Sequence, residues 1–187
     1  MSGPREGNAA VIEGPLLNQS ALGEAILRSL PAWFGIEQAI VDYLTNMATL
    51  PTFVARRGQS PAARDVDDAL GFMSLKQHFP RAAELYVLGV RPEAHRVGIG
   101  RALLTRCEAW LIDQGVEYLQ VKTLGPSRPN AEYERTRLFY EAMGFQPLEE
   151  LKTLWGERNP CLMMVKRLPA LDAHHGAEDG PAREKRA

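Results

Sequence analysis

The sequence is poor in every feature that would commit a chain to a special environment. It has two cysteines in 187 residues, Cys107 and Cys161, far apart and without metal-ligand spacing. No disulfide framework and no metal site are predicted from them, and reduced, buried thiols are expected. No apolar run approaches the roughly 20 residues that cross a bilayer. Residues 1–16, MSGPREGNAAVIEGPL, lack the basic-then-apolar order of a secretory signal. A cytoplasmic protein with no membrane partner is therefore the expectation. Net charge is −1, so no overall basic field recruits nucleic acid. What is present is an ordinary globular composition, 45% hydrophobic and 24% charged, in a chain long enough to bury one sizeable core.

The apolar period changes repeatedly along the chain. Residues 1–8 and 169–187 read as tails. The second, PALDAHHGAEDGPAREKRA, has almost nothing large and apolar to bury, and its His174–His175 pair is read as solvated. Between them, 9–17 reads as a strand. Ser20 is placed to cap a helix carrying Leu22, Ala25, Ile26 and Leu30, stopped by Pro31. A second helix aligns Ile36, Ile40, Leu44 and Met47 and ends before Pro51. PTFVAR (51–56) and ALGFMSLKQ (69–77) are predicted to pair as a hairpin across the polar stretch 57–68. ELYVLGV (84–90) is rich in β-formers and reads as a central strand. A helix from Gly98 to about Gln114 presents Ile99, Leu103, Cys107, Trp110 and Leu111, with Gly115 as its C-terminal cap. A strand (116–124), a helix (133–143) ended by Gly144, and two strands (145–155, 161–168) complete the order. Consecutive strands imply antiparallel pairing, and strand–helix–strand over 84–124 implies a parallel crossover. The prediction is an α/β domain over 9–168, a mixed and mostly antiparallel sheet of about seven strands with helices on both faces.

Within that frame, HRVGIGRALL (95–104) sets two glycines at a strand-to-helix junction. Free N–H groups and the helix dipole favour an anion there. Glycines at 98 and 100 remove side chains from its approach, and Arg96 and Arg101 add charge. A pyrophosphate fits. The spacing is not that of a P-loop, which needs Gly-Lys-Ser/Thr. A dinucleotide fingerprint needs a glycine where Leu103 stands. Glycines that merely let a helix pack closely remain the plain alternative.

The ordering, together with ELYVLGVRPEAHRVGIGRALL (84–104) and RLFYEAMGF (137–145), resembles the GNAT acetyltransferase superfamily over roughly residues 20–168. Its acyl-CoA signature is Arg/Gln-x-x-Gly-x-Gly/Ala after a strand, and Tyr-x-x-x-Gly-Phe closes its fourth helix. The resemblance implies acetyl-CoA as co-substrate, with no metal, and a cofactor site formed by Leu88, Gly89, Val90, His95, Arg96, Val97, Gly98, Ile99, Gly100, Arg101 and Ala102. Leu88 and Val90 would pair with pantetheine through their main chain, and Gly89 between them is consistent with a bulge. It further implies that Tyr140 protonates the departing thiolate, while Glu84, 14 residues before Gly98, matches the place of a glutamate base in some members. Two positions depart from the family pattern. His95 stands where Arg or Gln is usual, with Arg96 beside it, and Tyr133 stands where an Asn often holds the pantetheine arm.

Acceptor pockets in this fold lie between the loop of the first two helices and the connection of the last two strands. Here those are LPAWFGIEQ (30–38) and LWGERNPC (154–161). Trp33, Phe34 and Trp155 would give aromatic walls, and Glu37 and Glu157 would draw a cationic amine. The implied activity is transfer of acetyl from acetyl-CoA to a primary amine by direct attack in a ternary complex. The alternative is a non-catalytic acyl-CoA-binding regulatory module of the same fold. A homodimer is compatible with either.

Overall fold

The computed structural model describes residues 10–58 and 65–170. The tail 1–8, nearly all of the tail 169–187 with His174 and His175, and residues 59–64 of the polar stretch 57–68 lie outside the described residues. The elements run β1 (Val11–Leu16), α1 (Ser20–Leu27), α2 (Glu37–Met47), β2 (Thr52–Arg56), β3 (Ala69–Phe79), β4 (Ala82–Val90), α3 (Ile99–Asp113), β5 (Tyr118–Leu124), α4 (Ala131–Ala142), β6 (Gln146–Leu151) and β7 (Cys161–Arg167). The seven strands form one sheet in the order β1-β2-β3-β4-β5-β7-β6. All neighbours are antiparallel except β4 and β5, which α3 connects in parallel. The predicted α/β architecture, with helices on both faces, is the one observed.

Two apolar clusters sandwich the sheet. On one face α3 and α4 bury Leu103, Leu104, Cys107 and Leu111 against Met73, Leu85, Leu119, Val121 and Met164. On the other, α1 and α2 bury Leu22, Ile26, Leu27 and Ile40 against Val54, Phe72 and Val87. Burying each such side chain stabilises the fold by about 1.5–3 kcal/mol before the entropy of ordering is set against it. Gly115 and Gly144 follow α3 and α4 at φ +77° and +90°, the left-handed conformation that closes a helix and that glycine adopts without steric cost.

Ser20 does not cap α1. Gln19 is the flanking residue, no side-chain cap is made, and the Ser20 hydroxyl donates to the Leu44 carbonyl at 2.7 Å. The serine thus staples α1 to α2. The sixth strand is shorter than expected and ends at Leu151, leaving Trp155 in the β6–β7 loop.

Candidate active site

The parallel pair at the centre of the sheet is incomplete. β4 and β5 pair from Ala82–Tyr118 to Leu85–Val121 and no further, although β4 continues to Val90 and β5 to Leu124. The divergence begins at an irregularity on the other side of β4, where Ser74 faces Val87 but Leu75 faces Leu85. Tyr86 is the extra residue. Leu85 and Leu88 consequently join the α3–α4 cluster while Tyr86 and Val87 both join the other, as a bulge requires. The bulge is therefore at Tyr86 and not at Gly89, which sits in regular register opposite Phe72. A Cβ at Gly89 would come within 2.9 Å of Ile26 Cγ2 and Phe72 Cε1, so this glycine lets α1 close on the sheet. Beyond the bulge, Arg91 N–H bonds the Leu70 carbonyl. Antiparallel alternation then turns the main-chain N–H and C=O of Leu88 and Val90 away from β3 and into the gap. On β5, the Thr123 hydroxyl, on the same face as Leu119 and Val121, is buried without a hydrogen-bond partner.

At the closed end of the gap lies Glu84. Ala83 and Leu85 point into the α3–α4 cluster, so alternation sends Glu84 to the opposite face with Gln120 and Lys122 of β5. It is 6% exposed. Its Oε2 accepts from His78 Nε2 at 2.6 Å, Lys122 Nζ at 2.7 Å and Gln120 Nε2 at 3.4 Å. All three bonds converge on one oxygen, leaving Oε1 free of them. Tyr86 and Tyr43 stand over this carboxylate, their rings edge-to-face at 5.5 Å. Burial, reinforced by neighbours that include Glu84, raises both phenols above their ordinary range.

At the open end, β4 leads into α3 through Arg96 (φ +62°) and Gly98 (φ +89°). Gly98 is the flanking residue of α3, and no side chain caps the helix. The N–H groups of the first turn therefore point outward unpaired, up to Ala102, which closes on the Gly98 carbonyl. Nothing lies within 4 Å of a Cβ built at Gly98. Gly100 differs, because a Cβ there meets Phe139 of α4 at 3.3 Å. Of the two motif glycines, Gly98 opens the anion cradle and Gly100 lets α3 approach α4. Arg96, Val97, Arg101 and Ala102 are exposed around the cradle, and Ile99 turns into the core. His95 does not face it: its Nε2 donates to the Val90 carbonyl at 2.7 Å, and its ring meets Trp33 edge-on at 5.8 Å.

Helix α4 supplies the third wall. Its N-terminus is capped by Asn130, which accepts from Tyr133 N–H at 3.0 Å. Tyr140 is buried between Phe139 and Phe145, ring centroids 5.4 and 5.6 Å away. Burial, with smaller contributions from the Tyr43 and Tyr133 phenols, raises its pKa well above that of an ordinary phenol, so it keeps its proton. Tyr133, two turns earlier, is already engaged. Its hydroxyl donates to the Trp33 carbonyl at 2.6 Å while Trp33 Nε1 donates to Thr136 Oγ1 at 3.0 Å. These two bonds clasp the α1–α2 loop to α4, which removes the Tyr133 hydroxyl proton from the pantetheine-donor role.

Trp33 and Phe34 are half-buried at the edge of the α1–α2 cluster, Phe34 edge-to-face with Tyr43 at 5.9 Å. Trp155 is 40% exposed. Glu37 is not available to an amine, because Arg28 holds both its oxygens at 2.8 and 3.0 Å. Cys161 is buried, and burial pushes its thiol up to about 11; burial raises Cys107 as well. Sequence reasoning missed Tyr43, Tyr86, His78 and Lys122. Tyr43 lies three residues after Ile40 on the flank of its stripe and was legible as helix burial, whereas the partners of Glu84 become neighbours only through strand register. Among the described residues no group of three or more His, Cys, Asp or Glu is placed to hold a metal, and no helix is long and apolar enough to cross a membrane.

Comparison with known proteins places this fold in a family. The family model of the acetyltransferase (GNAT) domain matches residues 48–147, and the chain belongs to that family. No curated protein sequence matches it. Among solved structures, a protein assigned as a GNAT-family acetyltransferase from Desulfovibrio desulfuricans superposes with a TM-score of 0.66 at 20% identity, over 86% of this chain and all of that one (100%). A ribosomal-protein alanine N-acetyltransferase from Escherichia coli gives 0.64 at 17% identity, over 89% and 99%. The NatC complex bound to Gag peptide and CoA gives 0.62 at 14%, over 86% and 99%. At such identities these likenesses speak for the fold.

Proposed function

We propose that this acetyltransferase moves an acetyl group from acetyl-CoA to a primary amine by direct attack in a ternary complex. The observation that carries the reading is the parting of β4 from β5 beyond Leu85 and Val121. It leaves the inward main-chain groups of Leu88 and the Val90 N–H without partners, next to the open cradle at Gly98. Buried polar groups without partners are costly, and an extended amide-bearing arm ending in a pyrophosphate satisfies both features. Acetyl-CoA supplies the activated acyl group as a thioester.

The chain's own groups then have separate tasks. The N–H groups of Ile99, Gly100 and Arg101 hold the pyrophosphate, with Arg96 and Arg101 adding charge. The Val90 carbonyl takes no part, since His95 occupies it. Glu84 Oε1, the carboxylate oxygen left free by His78, Gln120 and Lys122, accepts the proton of the attacking amine, directly or through one water. Tyr140 keeps its proton until a thiolate leaves and donates it then. A thiol as basic as that of Cys161 stays protonated near neutral pH, which favours direct attack over an acyl-enzyme.

Calorimetric titration with acetyl-CoA tests the site, with ATP and NAD as controls. Saturable binding of acetyl-CoA alone is expected, and its absence removes the acetyltransferase reading. Initial velocities over a panel of amines then separate an enzyme from a binding module, which would hold acetyl-CoA without turnover.

A further inference from the structure

The loops expected to form the acceptor site carry the opposite charge to the one their glutamates suggest. Two clefts of about 400 and 550 Å³ lie beside the β6–β7 loop, the first against the β5–α4 loop and the second reaching Ile36 of the α1–α2 loop, and Arg128 and Arg158 line both. Lys152 and Glu157 complete the charged lining of the first, Ile36 and Asn159 the lining of the second. Three cations therefore face one carboxylate, in a chain whose net charge is −1. The arrangement is built: Arg128 Nη1 donates to the Arg158 carbonyl at 2.7 Å and to Asn159 Oδ1, which fixes one guanidinium across the mouth. Arg158 and Lys152 make no ion pair among the described residues. Glu37, at the other rim, is neutralised by Arg28.

We infer that the acceptor is a small amine that also carries an anionic group, carboxylate or phosphate, held by Arg158 with Arg128 and Lys152. The inference rests on the acetyltransferase reading above. It also fixes a spacing. Glu84 stands opposite Gln120, and the turn at Gly125 that begins the basic loop is five residues farther along β5, on the order of 15 Å at about 3.3 Å per residue. An amine near Glu84 and an anion at Arg158 cannot share one carbon, so a spacer of several bonds separates them.

The test is acetylation of glycine, β-alanine, γ-aminobutyrate and ε-aminocaproate beside the alkylamines of equal length, cadaverine, and aminoalkylphosphonates. The longer amino acids are expected to exceed their alkylamines in kcat/KM by about tenfold or more, the scale of one charge-assisted hydrogen bond. Phosphonates set above or below carboxylates identify which anion is read. Arg158→Ala should erase most of that preference with acetyl-CoA affinity unchanged, and Lys152→Ala should weaken it. Alkylamines or cadaverine used as well as the amino acids, a preference that survives Arg158→Ala, or turnover of peptides alone would each overturn the inference. Failure of acetyl-CoA to bind at all overturns the parent reading instead.

Discussion

The two ends of the β4–β5 pair make a contrast within a single pair of strands. From Ala82 to Leu85 the ladder is intact and its polar side chains are neutralised: Glu84 is matched by Lys122 and His78. From Tyr86 onward the ladder to β5 is gone and the inward main-chain groups of Leu88 are left over. One inserted residue separates the two regimes. A bulge shifts the side-chain alternation and parts the strands together, so the packing that stabilises the domain and the gap proposed to receive acetyl-CoA are made by the same backbone. Unsatisfied groups are tolerated where a partner arrives from outside.

The sharpest way to break this contrast is at the cradle. Gly98→Glu places a Cβ at φ +89° and a carboxylate beside the free amides. Acetyl-CoA affinity by calorimetry should fall at least about a hundredfold, since left-handed strain costs roughly 1–2 kcal/mol and charge repulsion adds to it. Retained affinity with an intact fold would move the cradle elsewhere. Glu84→Gln comes next. It keeps the shape of the closed end and removes the base, so kcat should drop about a hundredfold while acetyl-CoA still binds; an unchanged kcat would assign the proton to water. Tyr140→Phe should lower kcat at least about tenfold, with little effect on binding or melting temperature. No loss in an active enzyme would leave Tyr140 as packing alone. The smallest effect belongs to Gly89→Ala, which should cost about 1–3 kcal/mol of stability by overpacking, read as a lower denaturation midpoint with acetyl-CoA affinity nearly intact. Lost affinity at normal stability would return Gly89 to the cofactor site.

The order of elements was legible because period and punctuation agree: Pro31, Pro51, Gly115 and Gly144 each fall just beyond a helix. The hairpin of β2 with β3 and the parallel step through α3 were legible for the same reason. What the chain did not disclose depends on register. Gly89 looked like the bulge because glycine is the usual sign of one, yet a tyrosine holds that place and the glycine answers to Ile26 and Phe72. Gly98 and Gly100 looked equivalent, and the left-handed φ of Gly98 and the approach of Phe139 to Gly100 distinguish them. Glu84 was visible as a charge at the head of a buried strand, whereas Lys122 lies 38 residues away and becomes its partner through pairing. Glu37 reads as free in sequence and is taken by Arg28 in three dimensions.

The position of β7 between β5 and β6 has a consequence for how the domain comes into being. Emerging from a ribosome, β5 and β6 are both available before the strand that joins them, and neither can seal against the other. Until Cys161–Arg167 arrives, β5 keeps a bare edge next to the nascent gap. Such unpaired edges invite association with other chains. Completion of this half of the sheet must therefore wait for the end of the last strand, and truncation anywhere before Arg167 should yield aggregates rather than a smaller folded protein.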